Sequence, residues 1–186
     1  MTEAVGASQP FSMQEFREAL GCFATGIAVV TATAAGGHRI GATVSSFNSV
    51  SLEPPLVLFS MARSSRAFTA WQAVTHFAVN VLSEGQDALS TRFARSLGDK
   101  WEDARCVEGE NGVPLLADSL AAFECARYAN YDGGDHIIIV GRVCKVRIRK
   151  RADAVPLIFF RSKYRRLASE GGADVPFDLN HLVHGW

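Results

Sequence analysis

Residues 41–60 read GATVSSFNSVSLEPPLVLFS, and the character of this stretch decides the fold. Side chains alternate along a strand, so Gly41, Thr43, Ser45 and Phe47 fall on one face and Ala42, Val44 and Ser46 on the other. Core strands are ordinarily filled with Val, Ile and Leu. This one is thin and rich in hydroxyls, and it stops at Pro54-Pro55. Such a strand leaves its backbone and its Ser and Thr oxygens open to something flat and polar. The plainer alternative is a serine-rich edge strand running into a turn. The following PLVLFSMA has the apolar run of a buried strand.

The flanking segments extend the same pattern. Upstream, GIAVVTATAAGGHRIGATVSSF forms a hairpin around Ala35-Gly36-Gly37. Before it, Ser12 and Glu15 have capping-box spacing, so a helix runs to about Leu20, with Phe16, Leu20 and Phe23 spaced to bury one side. Downstream, Ser64 or Ser65 caps a short helix through Phe68 and Trp71. HFAVNVLS (76–83) is a strand, and residues 84–97 form an amphipathic helix with Leu89, Phe93 and Leu97 on one face. Residues 98–118 are irregular. AAFECARYANY (121–131) and HIIIVGRVCKVRIRK (136–150) pair around Asp132-Gly133-Gly134-Asp135, and VPLIFFR (155–161) is the last strand. Strands joined by hairpins, with a few flanking helices, predict a mainly β antiparallel barrel. No G-x-G-x-x-G follows a strand, which argues against a dinucleotide fold of the parallel type.

Composition bounds the rest. The 186 residues suffice for one well-cored domain; 48% are hydrophobic, and 19 basic side chains balance 19 acidic ones. No global positive field exists for nucleic acid or an anionic membrane. The local run KVRIRKR (145–151) alternates with Val146 and Ile148, as a solvated strand does. Cys22, Cys106, Cys125 and Cys144 are too scattered for a zinc site or a disulfide framework, and Cys125 and Cys144 are expected in the core. No signal peptide and no apolar segment of transmembrane length is seen, so a reduced, cytoplasmic protein is the expectation. His181 and His184 lack partners for a metal site.

Taken together, FREALGCFATGIAVVTA, GATVSSFNSVSLEPPLVLFS, FAVNVL, FARSLGDK, GDHIIIVGRV and PLIFFRSKYRRL resemble, in order and spacing, the flavin reductase-like, FMN-binding split-barrel proteins. These are short-chain NAD(P)H:flavin oxidoreductases that serve two-component monooxygenases. The resemblance covers residues 11–167, between a tail at 1–10 and another at 168–186. It implies a split β-barrel of Greek-key type, a homodimer, a non-covalent flavin (FMN or FAD), and NADH or NADPH as co-substrate. It also implies a flavin-dependent monooxygenase partner reached through diffusible reduced flavin.

The same resemblance assigns roles. Gly41, Ala42, Thr43, Val44, Ser45, Ser46, Phe47 and Ser49 meet the flavin ring. Ser60, Arg63, Ser64 and Ser65 cradle its phosphate; the simpler role for Ser64 or Ser65 is a helix cap. Phe93, Ala94 and Lys100 flank the ribityl chain and phosphate. Arg95-Ser96 and Trp101 depart from the family's usual residues there. Gly134, Asp135 and His136 match its G-D-H motif, in which the His approaches the nicotinamide, and Tyr164 closes over the site. The implied activity is hydride transfer from NAD(P)H to flavin, needing alignment and no side-chain nucleophile. Two other functions share these features: a flavin carrier or store without NAD(P)H turnover, and an FMN-dependent oxidase whose substrate phosphate Arg161, Arg165 and Arg166 would hold.

Overall fold

The computed structural model describes residues 10–150 and 155–167. Helix α1 (Met13–Gly21) opens on the expected capping box, with Ser12 Oγ accepting from Glu15 N–H and the Glu15 carboxylate accepting from Ser12 N–H. The strands that follow are β1 (Thr25–Gly26), β2 (Ala28–Thr33), β3 (Arg39–Val44), β4 (Asn48–Leu52) and β5 (Pro55–Ala62). Helix α2 (Phe68–Ala73), β6 (His76–Val81) and helix α3 (Asp87–Ala94) come next. The chain then forms β7 (Cys106–Glu108), β8 (Pro114–Leu116), β9 (Ala121–Gly133), β10 (His136–Ile148), β11 (Ile158–Phe160) and β12 (Lys163–Arg165).

Seven strands make one antiparallel sheet in the order β3-β2-β6-β9-β10-β5-β4. Its two edge strands, β3 and β4, are consecutive in the chain and joined by only Ser45–Phe47. Six inter-strand steps of about 4.8 Å would hold these edges roughly 29 Å apart in a flat sheet. A link of this length reaches only about 14 Å. The sheet must therefore curl until the joined ends of β3 and β4 lie within that reach, and the two strands do not pair, consistent with the split barrel expected.

Inward-facing residues alternate along the strands and fill the roll: Val57 and Phe59 from β5, Phe77 and Val79 from β6, Ile137 and Ile139 from β10. Helix α2 adds Trp71, fully buried, whose ring stands edge-on to Phe59 at 5.5 Å. Burying each such aromatic contributes about 1.5–3 kcal/mol. The outer face of β2 is covered by α3 through Val29, Leu82 and Phe93.

Several expectations are corrected. The strand predicted through Phe47 ends at Val44, because the link between the sheet edges must bend there. The α1 face is not buried: Phe16, Leu20 and Phe23 are exposed, since the helix lies off the sheet and no residue in it is buried. Neither Ser64 nor Ser65 caps α2. Ser65 instead closes a turn onto Ala62, and Phe68 N–H bonds the Ser65 carbonyl before the helix begins. Helix α3 stops at Ala94 and leaves Leu97 exposed. Residues 98–118 contain the β7–β8 pair. Buried Asn80 holds it by accepting Leu116 N–H, and Thr31 donates to the Pro114 carbonyl at 2.5 Å. The last strand breaks at Arg161-Ser162 into the β11–β12 hairpin. Cys125 is buried as expected, but Cys144, beside a bulge in β10, is exposed. His181 and His184 lie outside the described residues.

Candidate functional site

A cavity of about 500 Å³ opens at the end of the barrel where the seam bends. Ala42, Thr43 and Val44 from β3 form one wall, Ser45 and Ser46 from the bend its rim, and Ser60, Met61 and Ala62 from β5 a second wall. The β5–α2 loop adds Ser64, Ser65, Arg66 and Ala67. The end of α3 and the loop after it add Phe93, Ala94, Arg95, Ser96 and Lys100, and β10 adds His136. Segments far apart in the chain thus converge as the sequence motifs required.

Local reasons fix each wall. Ser46 Oγ accepts Ser60 N–H at 2.9 Å and ties the bend to β5. Thr43 donates to the Ser90 carbonyl at 2.6 Å, so its proton is spent on α3 and its lone pairs remain. Lys100 reaches back to the Gly41 and Phe93 carbonyls, both at 3.1 Å. Half-burial of its ammonium pushes the Lys100 pKa below the usual lysine value. His136 pairs with Ala62 at the end of the β5–β10 ladder. Its Nδ1 lies 2.7 Å from the Asp135 carboxylate, a contact that holds the Asp135 pKa below the usual range. With Asp135 ionised, Nδ1 is the donor and Nε2 is the nitrogen left for another partner.

Arg66, Arg95 and Lys100 line the cavity, and among the described residues no Asp or Glu does. Hydroxyls and cations without a carboxylate suit an anionic ligand with many acceptors. A larger groove, about 910 Å³, runs between α1 and the Arg161-Ser162 turn. It is bordered by acids and bases together, one of them the Glu15 of the capping box, and none of the residues expected to meet flavin or nicotinamide lines it. The smaller cavity is the candidate site.

Other expected residues stand outside its lining. Gly41 lies behind the β3 wall, with Phe93 packed on it. Phe47 turns into the core against Phe123, ring centroids 5.5 Å apart, and Ser49 lies on β4. Arg63 is directed at the β9–β10 turn, where Gly134 and Asp135 also lie, flanking His136. Tyr164 packs on Phe159 and donates to Ser90 Oγ at 2.9 Å, fixing α3 from outside. Arg161 and Arg165 sit on the β11–β12 hairpin, Arg166 after it pairs with Glu84 at 2.5 Å, and none of the three lines this cavity. Sequence reasoning missed Arg66 and Ala67, and it assigned no contact to Met61, Ala62, Arg95 and Ser96. In this loop the phosphate contact was expected from Arg63, whereas Arg66 is the arginine that lines the cavity. Among the described residues no His, Cys, Asp and Glu cluster is placed to hold a metal, and no helix is long and apolar enough to cross a membrane.

Known proteins bear on this geometry. The Flavin reductase like domain matches residues 20–168. The chain is 48% identical over 157 residues to the FMN reductase (NADH) SmoA of Agrobacterium fabrum, covering 84% of this chain and 87% of that protein. It is 35% identical over 182 residues to HsaB, the reductase subunit of a flavin-dependent monooxygenase of Rhodococcus jostii, covering 95% and 91%. The Streptomyces globisporus NADH:FAD oxidoreductase SgcE6, solved with NAD and FAD fragments, superposes with a TM-score of 0.81 at 34% identity, covering 90% and 100%.

Proposed function

The chain belongs to the flavin reductase-like family, and on that premise we propose that it oxidises NADH with a flavin as acceptor and supplies reduced flavin to a partner monooxygenase. The observation that carries this is the cavity that brings hydroxyls, three cations and His136 together. When bound, flavin supplies the redox chemistry by accepting hydride from the nicotinamide. The chain's own residues bind and align. Arg66, Arg95 and Lys100, with Ser64 and Ser65, hold phosphate through charge-assisted hydrogen bonds. The thin wall at Ala42, Thr43, Ser45 and Ser46 admits a flat ring to within reach of backbone groups. His136, oriented by Asp135, positions the nicotinamide without taking a proton from it. A rim this open suits release of the flavin to a partner.

Two copies of the chain form the working unit in this proposal. Leu52 on β4, Tyr128 and Tyr131 on β9, and Ile148 on β10 expose apolar surface that a second copy would cover. The four cysteines are free thiols, which supports placing the protein in the cytoplasm.

The test is NADH oxidation by the purified protein with and without added FMN, FAD or riboflavin. Turnover that rises and saturates with free flavin is the expected result. A yellow, flavin-bound protein inert toward both nicotinamides would overturn the proposal.

A further inference from the structure

We propose that Arg63 is the positioning residue of the nicotinamide side, a clamp on the β9–β10 turn that sets where His136 stands; this rests on the flavin and NADH reading of the cavity. Arg63 follows directly on β5, one residue past the Ala62–His136 pair that ends the ladder. From there a single residue reaches three points of the turn. Its backbone N–H donates to the Asp135 carbonyl at 2.9 Å. Its Nε donates to the Gly134 carbonyl at 2.8 Å, and its Nη2 lies 3.4 Å from Asp132 Oδ1. Asp132 Oδ1 also accepts Gly134 N–H at 2.8 Å, so side chain and turn brace each other. The guanidinium is further seated over the Phe68 ring, 5.9 Å from its centroid.

The turn needs such a brace. Gly134 sits at φ +74°, in the left-handed region, and Asp135 is 92% exposed. An exposed carboxylate beside a half-exposed histidine makes a weak, mobile pair in water. Held at the backbone on both sides, Asp135 instead presents its oxygen to His136 Nδ1 at one place, and the ring is fixed where it enters the cavity. The planar guanidinium fork suits this task in a way that an ammonium does not. Arg63 itself does not line the cavity, so its effect on ligands passes through His136.

The experiment compares Arg63→Ala, Arg63→Lys and Asp132→Asn with the wild-type protein. It reads kcat and KM for NADH, flavin affinity by fluorescence quenching, and the ring-nitrogen resonances of His136 in histidine-labelled protein, assigned by their loss in His136→Gln. In Arg63→Ala, KM for NADH is expected to rise about tenfold while kcat and flavin affinity stay within about twofold. The hydrogen-bonded Nδ1 signature of His136 disappears alongside. Arg63→Lys falls between, and Asp132→Asn shifts both readouts the same way by less; both variants also serve if Arg63→Ala does not fold. A parallel loss of flavin affinity would assign Arg63 to the flavin and overturn the clamp. So would an unchanged His136 signature. If the wild-type protein does not oxidise NADH, the reductase proposal fails, yet the ring-nitrogen signature still decides the clamp.

Discussion

Phe93 rests on the bare Cα of Gly41: a Cβ added there would stand 2.6 Å from Phe93 Cε1 and 3.2 Å from the Val30 carbonyl oxygen. The glycine is required by the ring, and the ring by the loop beyond it, since Lys100 bonds the Gly41 and Phe93 carbonyls together. Trp101 then stands edge-on to Phe93, centroids 5.0 Å apart. Gly41→Ala must therefore push Phe93 and α3 outward. The expected cost is about 1–3 kcal/mol in unfolding free energy, with weakened flavin binding. Urea denaturation and a flavin titration check both, and an unshifted midpoint would show that α3 yields without strain.

The Gly41 pair shows what sequence could reveal. Gly41 was legible as a place where something flat approaches the strand, but the approaching ring is the protein's own Phe93. Hairpin turns at Ala35-Gly36-Gly37 and Asp132–Asp135, the Ser12 cap and the strand runs were legible because their signals are local. The exposed α1 face was not, because the Phe16, Leu20 and Phe23 spacing tells that a face is apolar and never what covers it. Arg63 was expected at the phosphate and Arg66 was assigned nothing, and the exchange has a similar reason. Only the position of the β9–β10 turn decides that one braces it while the other faces the cavity.

Glu124 is a carboxylate buried to 3% exposure, accepting Glu110 N–H at 2.5 Å and Arg147 Nε at 2.9 Å. It joins β9, β10 and the loop before β8, away from the cavity. Glu124→Ala strands both donors and is expected to lower stability by about 1–3 kcal/mol. Specific activity per folded molecule should not change. Thermal denaturation with a parallel NADH assay separates the two, and a large kinetic defect in fully folded protein would contradict this placement.

Asp135 gives a pH signature. Its carboxyl titrates below the ordinary 3.8, first because His136 hydrogen-bonds it and then because of that ring's charge. A depressed folded pKa means that the unfolded chain binds the proton first on acidification. Stability from this contact is thus present above the ordinary value and lost as pH falls through the folded one. The difference in urea midpoint between the wild-type protein and Asp135→Asn should shrink as pH falls from about 5 through the folded value. A difference that grows toward acid would show that the carboxylate is not stabilised in the fold.

His136 and Lys100 enter the cavity from different parts of the fold, His136 from the first residue of β10 and Lys100 from the loop after α3. If one binds nicotinamide and the other phosphate, their substitutions must fail in opposite ways. His136→Ala should lower kcat/KM for NADH about tenfold or more while flavin affinity stays within about twofold. Lys100→Met should weaken flavin about tenfold, as loss of a charge-assisted bond does, and restore turnover at saturating flavin. Lys100 also bonds two carbonyls, so its variant is expected to melt earlier, whereas His136→Ala leaves the barrel core untouched. Steady-state kinetics over a grid of NADH and flavin concentrations reads both patterns at once. Identical failures in the two variants would mean that the cavity is a single undivided site, and the alignment assigned to His136 would have no basis.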